Sequence, residues 1–241
     1  MLQDLCLNFV AVFLLAFLLG DFILQLKWFE EKEHVWYWRL LHSIILAALT
    51  YLLMSNWTAW SIPLFISAVH YFSVWYKTTR KEQNLNTFLL DKGAHFFAFL
   101  IAVIWAASAS MPLPAWISWQ PPWCWNIALC MIAALLLLPF GGTMIGKLMD
   151  PLQAQIGKKQ KGLKNGGKII GYLERMLILT FVMVNQYAGI GFLVAAKSIF
   201  RFSEIKEDND RKEAEYIIIG TFSSFLYAIV ISIFIKRLWI S

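Results

Sequence analysis

Residues 89–100 read LLDKGAHFFAFL and place two ionisable side chains, Asp91 and His95, at the start of a long apolar run. The two residues are four positions apart, so a helix over this stretch presents them on the same face. Residues 96–107 carry no charge, which is typical of a membrane span. A single Asp inside a span costs roughly 2.5–3.5 kcal/mol, so we expect this pair to have partners on neighbouring helices.

The composition places the chain among membrane proteins. Hydrophobic residues make up 59% of the 241 residues and charged residues 15%, against roughly 25% charged in an average soluble domain. The 19 Phe and 12 Trp suit a protein that contacts lipid and membrane interfaces. The formal net charge is +6, but the basic residues cluster between apolar runs. Such clustering indicates membrane topology and gives no reason to expect nucleic acid as a partner.

Seven apolar runs are each long enough to cross a hydrocarbon core of ~30 Å at a rise of ~1.5 Å per residue. They cover about residues 5–26, 36–54, 59–76, 88–108, 124–145, 169–196 and 214–235. The sequence therefore predicts an all-α, polytopic membrane protein with about seven transmembrane helices. We divide it into a four-helix transmembrane unit with a polar pocket, residues 1–110, and a three-helix transmembrane unit with a basic cytoplasmic connection, residues 111–241.

Basic residues predict the orientation of the first five spans. Thirteen Lys and Arg lie in the connections 27–39, 77–92 and 146–168, and none lies in 55–58 or 109–123. Because basic connections tend to stay in the cytoplasm, this split predicts a multi-pass protein whose N-terminus is outside.

The sixth apolar run has two interpretations. Residues 176–196 are uncharged and flanked by Arg175 and Lys197, which is the pattern of a plain span and the interpretation we favour. A re-entrant hairpin broken near residues 189–191 would instead keep the basic connection 197–213 in the cytoplasm.

Successive spans cross the membrane in opposite directions, so the polar residues of the first four spans are predicted to lie at one depth in the membrane. Those residues are Asp21, Gln25, His42, His70, Lys77, Asp91 and His95. Interhelical hydrogen bonds or interfacial capping would explain any one of them alone. Intramembrane ionisable residues are functional by default, so we interpret the set as a pocket that faces the cytoplasm.

Two chemistries fit this pocket. Imidazole and carboxylate groups are the usual ligands of zinc or another divalent metal, and the predicted metal ligands are His42, His70, Asp91 and His95. In this leading hypothesis a metal-dependent site binds or hydrolyses a membrane lipid or a lipid-linked anionic substrate. Asp21 is then a further ligand or acid–base group, and Lys77 holds the anion.

The second chemistry needs no metal. The same imidazole and carboxylate groups would relay protons or bind an ion in a transporter or channel. A third hypothesis makes the protein a structural or interaction subunit, with the polar set holding the helices together.

Other polar residues are predicted to have structural roles. Glu174 and Arg175 are expected to pair with each other or to lie at the membrane interface. Asn185 and Gln186 are expected to tie helices together through amide hydrogen bonds. His34 lies in a charged connection and is predicted to be a solvated loop histidine.

Short motifs occur in both halves of the chain. They are Gly20-Asp21-Phe22 with Gln25, Leu41-His42, His70…Lys77, Leu90-Asp91…His95, Leu173-Glu174-Arg175, Ala195-Ala196-Lys197-Ser198…Arg201-Phe202 and Ala214-Glu215-Tyr216…Gly220-Thr221. Their combination resembles a family of uncharacterised bacterial inner-membrane proteins, a domain of unknown function. The resemblance implies a bacterial inner-membrane location and no established activity. In the family the third helix resembles HxxxDxxK, whereas position 74 here is Val, so this helix lacks a carboxylate that a metal site would use.

Overall fold

The computed structural model describes most of the chain. The described residues are 2–23, 35–80, 84–109, 111, 123–156, 165–202 and 208–239. Every regular element within them is helical, which confirms the all-α prediction. Several residues used in the sequence analysis lie outside them: Gln25, His34, most of the Pro- and Trp-rich connection 109–123, and most of the lysines of 146–168.

The helices pack as two compact units, which we describe separately. Unit 1 is drawn from Met1–Ile132 and unit 2 from Ala133–Trp239. The helices that build unit 1 are α1 (Leu2–Phe22), α2 (Trp36–Met54), α3 (Ser61–Thr79) and α4 (Leu85–Ser108). The sequence analysis placed a boundary after residue 110 on the basis of the predicted spans. That boundary stays a prediction.

Local chemistry accounts for the helix ends in unit 1. α2 ends at Ser55, which takes a left-handed conformation with φ of 49°. α3 has Pro63 in its first turn, where the missing proline N–H costs no helical hydrogen bond. α4 begins after Asn84, whose side chain accepts a hydrogen bond from the backbone N–H of Thr87 at 3.1 Å. Such a cap satisfies one of the backbone donors that a helix start leaves unpaired.

The four helices of unit 1 form a closed arrangement in which α1 and α3 each pack against both α2 and α4. Aromatic rings of α1 and α4 fill its centre, with Phe13 stacked on Phe99 at 6.4 Å and Phe17 edge-on to the same ring at 5.4 Å. The outer surface is apolar, as for Phe97 and Ile104, which are 65% and 67% exposed. Apolar groups outside and charged groups inside are what a helix bundle in lipid requires.

A π-helical segment lies near the start of unit 2. α5 (Trp123–Leu135) belongs to unit 1 up to Ile132 and continues through the π-helical Leu136–Phe140 into α6 (Gly141–Gln153). Pro139 lies inside the π segment and cannot donate a backbone hydrogen bond. The remaining helices of unit 2 are α7 (Gly166–Met183), α8 (Tyr187–Phe202) and α9 (Asp208–Leu238). α9 packs along α7 and α6, around a core that includes Ile178 and Phe225.

The sixth predicted span is not a single helix, so the interpretation that we favoured is wrong. The chain turns between α7 and α8, with Asn185 in a left-handed conformation of φ 60°. The two helices are antiparallel, because Glu174 of α7 and Lys197 of α8 form an ion pair at 2.8 Å. The turn lies a few residues before the predicted break at 189–191.

The amide of Asn185 stabilises this turn. Its side-chain oxygen accepts a hydrogen bond from Lys236 of α9, which also donates to the Val182 carbonyl oxygen at 2.8 Å. The prediction that this amide ties helices together therefore holds for Asn185, with a lysine as the partner.

Four stretches of described helix are long and apolar enough to cross a membrane. They are Trp36–Met54, Leu85–Ser108, Trp123–Gln153 and Lys212–Leu238. Asn8–Phe22 and Tyr187–Ile199 are apolar but shorter. These helices are typical of a membrane protein. The described residues contain four helices that could span a membrane by length and composition, fewer than the seven or so that we predicted.

Candidate functional site

Five of the six predicted site residues converge in the interior of unit 1. Each comes from the helix on which it was predicted, and each is at most 6% exposed. They are Asp21 of α1, His42 of α2, His70 of α3, and Asp91 and His95 of α4. Lys77, the sixth, is half-buried on α3, and its predicted role of holding an anion stays a prediction.

Three imidazole rings form a continuous chain of ring-to-ring contacts across the bundle. His70 is the middle ring: its Nε2 lies 3.4 Å from Nδ1 of His42, and its Nδ1 lies 2.8 Å from Nε2 of His95. Both pairs of rings meet at steep angles, 83° and 63° between ring planes. The rings come from three different helices, so the chain runs from helix to helix and not along the bundle axis.

Backbone carbonyl groups close both ends of this imidazole chain. Nε2 of His42 donates to the carbonyl oxygen of Gly20 at 3.1 Å. Nδ1 of His95 donates to the carbonyl oxygen of Asp91, one turn earlier on α4, at 2.7 Å. Each of the six ring nitrogens therefore faces a group that is able to form a hydrogen bond.

Gly20 allows this close approach of α1 to α2. A Cβ atom at this position would lie 2.6 Å from Cδ1 of Leu46, a fully buried side chain of α2. Glycine therefore places its carbonyl oxygen within reach of His42. The Gly20-Asp21 pair supplies an acceptor from its backbone and a carboxylate from its side chain.

Beside the imidazole chain, one ammonium group bridges two carboxylates. Nζ of Lys92 lies 2.6 Å from Oδ2 of Asp21 and 2.8 Å from Oδ2 of Asp91. The hydroxyl of Ser73 donates to the other carboxylate oxygen of Asp91 at 2.5 Å. The Lys92 side chain is 12% exposed, so this three-charge group is largely removed from solvent. Its formal charge is −1, from two carboxylates and one ammonium.

Aromatic rings enclose both parts of the cluster. Phe17 of α1 stacks on the His95 ring at 4.8 Å, and the Lys92 ammonium lies 5.3 Å from the centre of the same phenyl ring. The ring centre of Phe88, on α4, is 5.6 Å from the same ammonium. Cation–π contacts and apolar walls keep water away from the ion pairs and so strengthen them.

Lys92 is the functional candidate that sequence reasoning missed. It was counted only as a basic residue of the 77–92 connection, and its neighbour Asp91 was paired by helical spacing with His95. The partner that would have identified it, Asp21, is 71 residues away on α1. A lysine directly beside a buried acidic residue was the available signal.

Val74 lies one turn after His70 on α3 and is 4% exposed, so this position holds a buried apolar side chain. Ser73, the preceding residue, provides the polar contact of this helix to Asp91 instead.

The arrangement does not fit the predicted metal site. Among the residues that the structure describes, no group of three or more His, Cys, Asp or Glu could hold a metal ion. The nitrogens of His70 and His95 that a metal would need are 2.8 Å apart and face each other as hydrogen-bond partners. Both oxygens of Asp91 are occupied, one by Ser73 and the other by Lys92. We therefore treat these residues as hydrogen-bonding groups and not as metal ligands.

Arg39 adds one more buried charge to unit 1. It lies on α2 one turn before His42, is 9% exposed, and donates from Nη1 to the Thr78 hydroxyl at 3.0 Å. Thr78 is eight residues after His70 on α3, which is ~12 Å at the helical rise, so this contact lies nearer the end of that helix.

Unit 2 has its own buried polar group, centred on Arg175. Its guanidinium donates to the carbonyl oxygen of Leu137, in the π segment, and to the Ser224 hydroxyl at 2.9 Å. Tyr227 donates to the neighbouring carbonyl oxygen of Leu136 at 2.8 Å. These contacts satisfy carbonyl groups in the irregular segment, which supports the structural role predicted for Arg175.

Comparison with known proteins finds a family match for part of the chain, somewhat less than half of its residues. Residues 9–121 match a family model described as "Protein of unknown function (DUF3307)". The matched range contains every member of the imidazole and three-charge groups. The resemblance to an uncharacterised family is thereby confirmed for this part of the chain; the C-terminal motifs and the bacterial origin stay predictions. No curated protein and no solved structure matches the chain.

Proposed function

We propose that unit 1 is a membrane-embedded proton-binding unit of a transporter or channel. The observation that carries this proposal is the continuous chain of three buried imidazoles, His42, His70 and His95, with a carbonyl group at each end. Histidine is the side chain that gains and loses a proton most readily near neutral pH. Rings in direct contact can pass that proton from one to the next.

The neighbouring charges support the same proposal. Asp21, Asp91 and Lys92 lie beside the imidazoles, and the Asp91 carboxylate oxygen Oδ1 is 3.6 Å from Nδ1 of His95, where a negative charge favours a protonated ring. Buried ionisable groups in membrane proteins commonly mark such proton and ion pathways. The three imidazoles lie at one level of the bundle. We therefore propose that they form a proton-binding site and not a complete path across the membrane.

The metal-dependent hypothesis, with a lipid or lipid-linked anion as substrate, receives less support. It needs ring nitrogens that already face one another and carboxylate oxygens that already accept from Ser73 and Lys92. It also needs Lys77 as an anion holder, whereas the ammonium group that pairs with both carboxylates belongs to Lys92.

A transport assay tests the proposal. The full-length protein is reconstituted in liposomes that contain a pH-sensitive dye, and the external pH is stepped. We expect the internal pH to follow faster than in protein-free liposomes of the same lipid. Equal rates in the two preparations would contradict the proposal. Near-stoichiometric zinc that is lost in the variant His95→Ala would favour the metal-dependent hypothesis instead.

The topology can be tested independently. We place the protein in a bacterial inner membrane with its N-terminus in the periplasm. The α7–α8 hairpin adds a prediction for the connection after α8. Because Glu174 and Lys197 form an ion pair, the polypeptide leaves α8 on the same side as it entered α7. Reporter fusions should therefore read cytoplasmic at Asp208 and at Gln83, and periplasmic at Asn56. A periplasmic signal at Asp208 would show that the hairpin does not return the chain to the cytoplasm.

A further inference from the structure

The two ends of the imidazole chain determine where the protons of the outer rings lie. A carbonyl oxygen can only accept a hydrogen bond, so Nε2 of His42 must carry a hydrogen to bond Gly20. For the same reason Nδ1 of His95 must carry a hydrogen to bond the carbonyl oxygen of Asp91. A neutral imidazole has one N–H, so each neutral outer ring turns a lone pair toward the middle ring.

His70 therefore faces a lone pair on both sides. When neutral it has one hydrogen and can satisfy only one neighbour. The two contacts are unequal: 2.8 Å to His95 has the length of a good hydrogen bond, and 3.4 Å to His42 is longer than such bonds normally are. When all three rings are neutral, the hydrogen of His70 therefore lies on Nδ1, toward His95. The lone pairs of His70 Nε2 and His42 Nδ1 then face each other across the longer contact.

From this we infer that the exchangeable proton binds between Nδ1 of His42 and Nε2 of His70. The inference rests on the proposed function and names the atoms that perform it. A proton delivered by hydronium forms one new N–H bond there and leaves a water molecule behind, so no other bond changes and nothing is oxidised. The uptake replaces two opposed lone pairs with a hydrogen bond and makes one of these two rings an imidazolium.

One bound proton is the number that the hydrogen-bond count requires. The nearby charged groups come from all four helices. The three-charge group contributes −1 from α1 and α4. Lys77 lies seven residues after His70 on α3, and Arg39 lies one turn before His42 on α2 and bonds to Thr78.

Nitrogen NMR of the histidine rings tests this location. The full-length protein is labelled with ¹⁵N-histidine, reconstituted in lipid bilayers and titrated from high to low pH. The chain has four histidines, and the variant His34→Gln removes the signals of the one outside unit 1's imidazole chain. At high pH we expect one protonated nitrogen per ring. As the pH is lowered, a new N–H signal should appear at Nε2 of His70 or at Nδ1 of His42.

Two results would overturn the inference: a new proton at Nε2 of His95 first, or no change in any of the three rings while the protein stays folded. The wild-type measurement needs no substitution inside the cluster, so it does not depend on a variant that folds. The liposome assay separates the two proposals. If the protein carries proton flux but the new proton binds His95, the inferred location is wrong and the proposed function stands. If the proton binds between His42 and His70 but there is no flux, the location stands and the proposed function is wrong.

Discussion

The substitution Lys92→Met is expected to destabilise the protein by about 3–5 kcal/mol, the largest effect on stability that we predict for a single residue. Methionine keeps most of the packing between the phenyl rings of Phe17 and Phe88 but removes the ammonium. Asp21 and Asp91 then remain buried without their shared counter-charge, and their like charges repel each other. The midpoint of thermal unfolding in mild detergent measures the loss.

An exposed lysine provides the control for this substitution. Lys168→Met removes an ammonium that also lies over an aromatic ring, Tyr172, but at an exposed position of α7. It should change stability by no more than about 1 kcal/mol. Adding Asp21→Asn to Lys92→Met removes one of the stranded charges, so the double variant should be less destabilised than the sum of the single variants by roughly 0.5–3 kcal/mol. Additive effects would mean that Asp21 and Lys92 do not interact.

The substitution His70→Gln is expected to reduce proton flux into liposomes by roughly a hundredfold, the scale at which a positioned proton-transfer group contributes to a rate. Glutamine is of similar size and can donate and accept hydrogen bonds, but it does not take up a proton near neutral pH. The middle of the imidazole chain is then lost while the interhelical contacts to His42 and His95 can persist.

His34→Gln is the matched control for this second substitution, because it makes the same chemical change at the one histidine outside the chain of imidazoles. It should leave the flux unchanged. Thermal unfolding of His70→Gln shows whether the variant is folded, so that a loss of flux is not confused with a loss of structure. Wild-type flux in a folded His70→Gln protein would contradict a role for the middle ring.

Most of the cluster could be predicted from the sequence, because helical periodicity and the alternation of spans are both local rules. Four-residue spacing paired Asp91 with His95, and the reversal of direction at each connection brought His42 and His70 to the same depth. These rules give a residue's depth and its face on one helix. They do not specify which atom bonds which, so neither the bridging by Lys92 nor the contact of Ser73 followed from them.

The broken sixth run shows a different limit. Residues 176–196 contain no charge, and hydropathy alone cannot distinguish one span from two helices joined by a tight turn. The turn depends on the left-handed conformation of Asn185, which asparagine tolerates better than most residues, and on its contact with Lys236. That lysine lies 51 residues away on α9, so the sequence around the turn could not reveal it.

The central claim is that the buried imidazoles hold a proton that exchanges with water, and a count of protons tests it most directly. Wild-type protein and His70→Gln in the same detergent are shifted from about pH 8 to the lowest pH at which both stay folded, and an indicator dye measures the protons taken up per chain. Surface groups contribute equally to both proteins. We predict that the wild-type protein takes up one more proton per chain than the variant. Equal uptake by two folded proteins would show that the imidazole chain is a structural contact and binds no exchangeable proton.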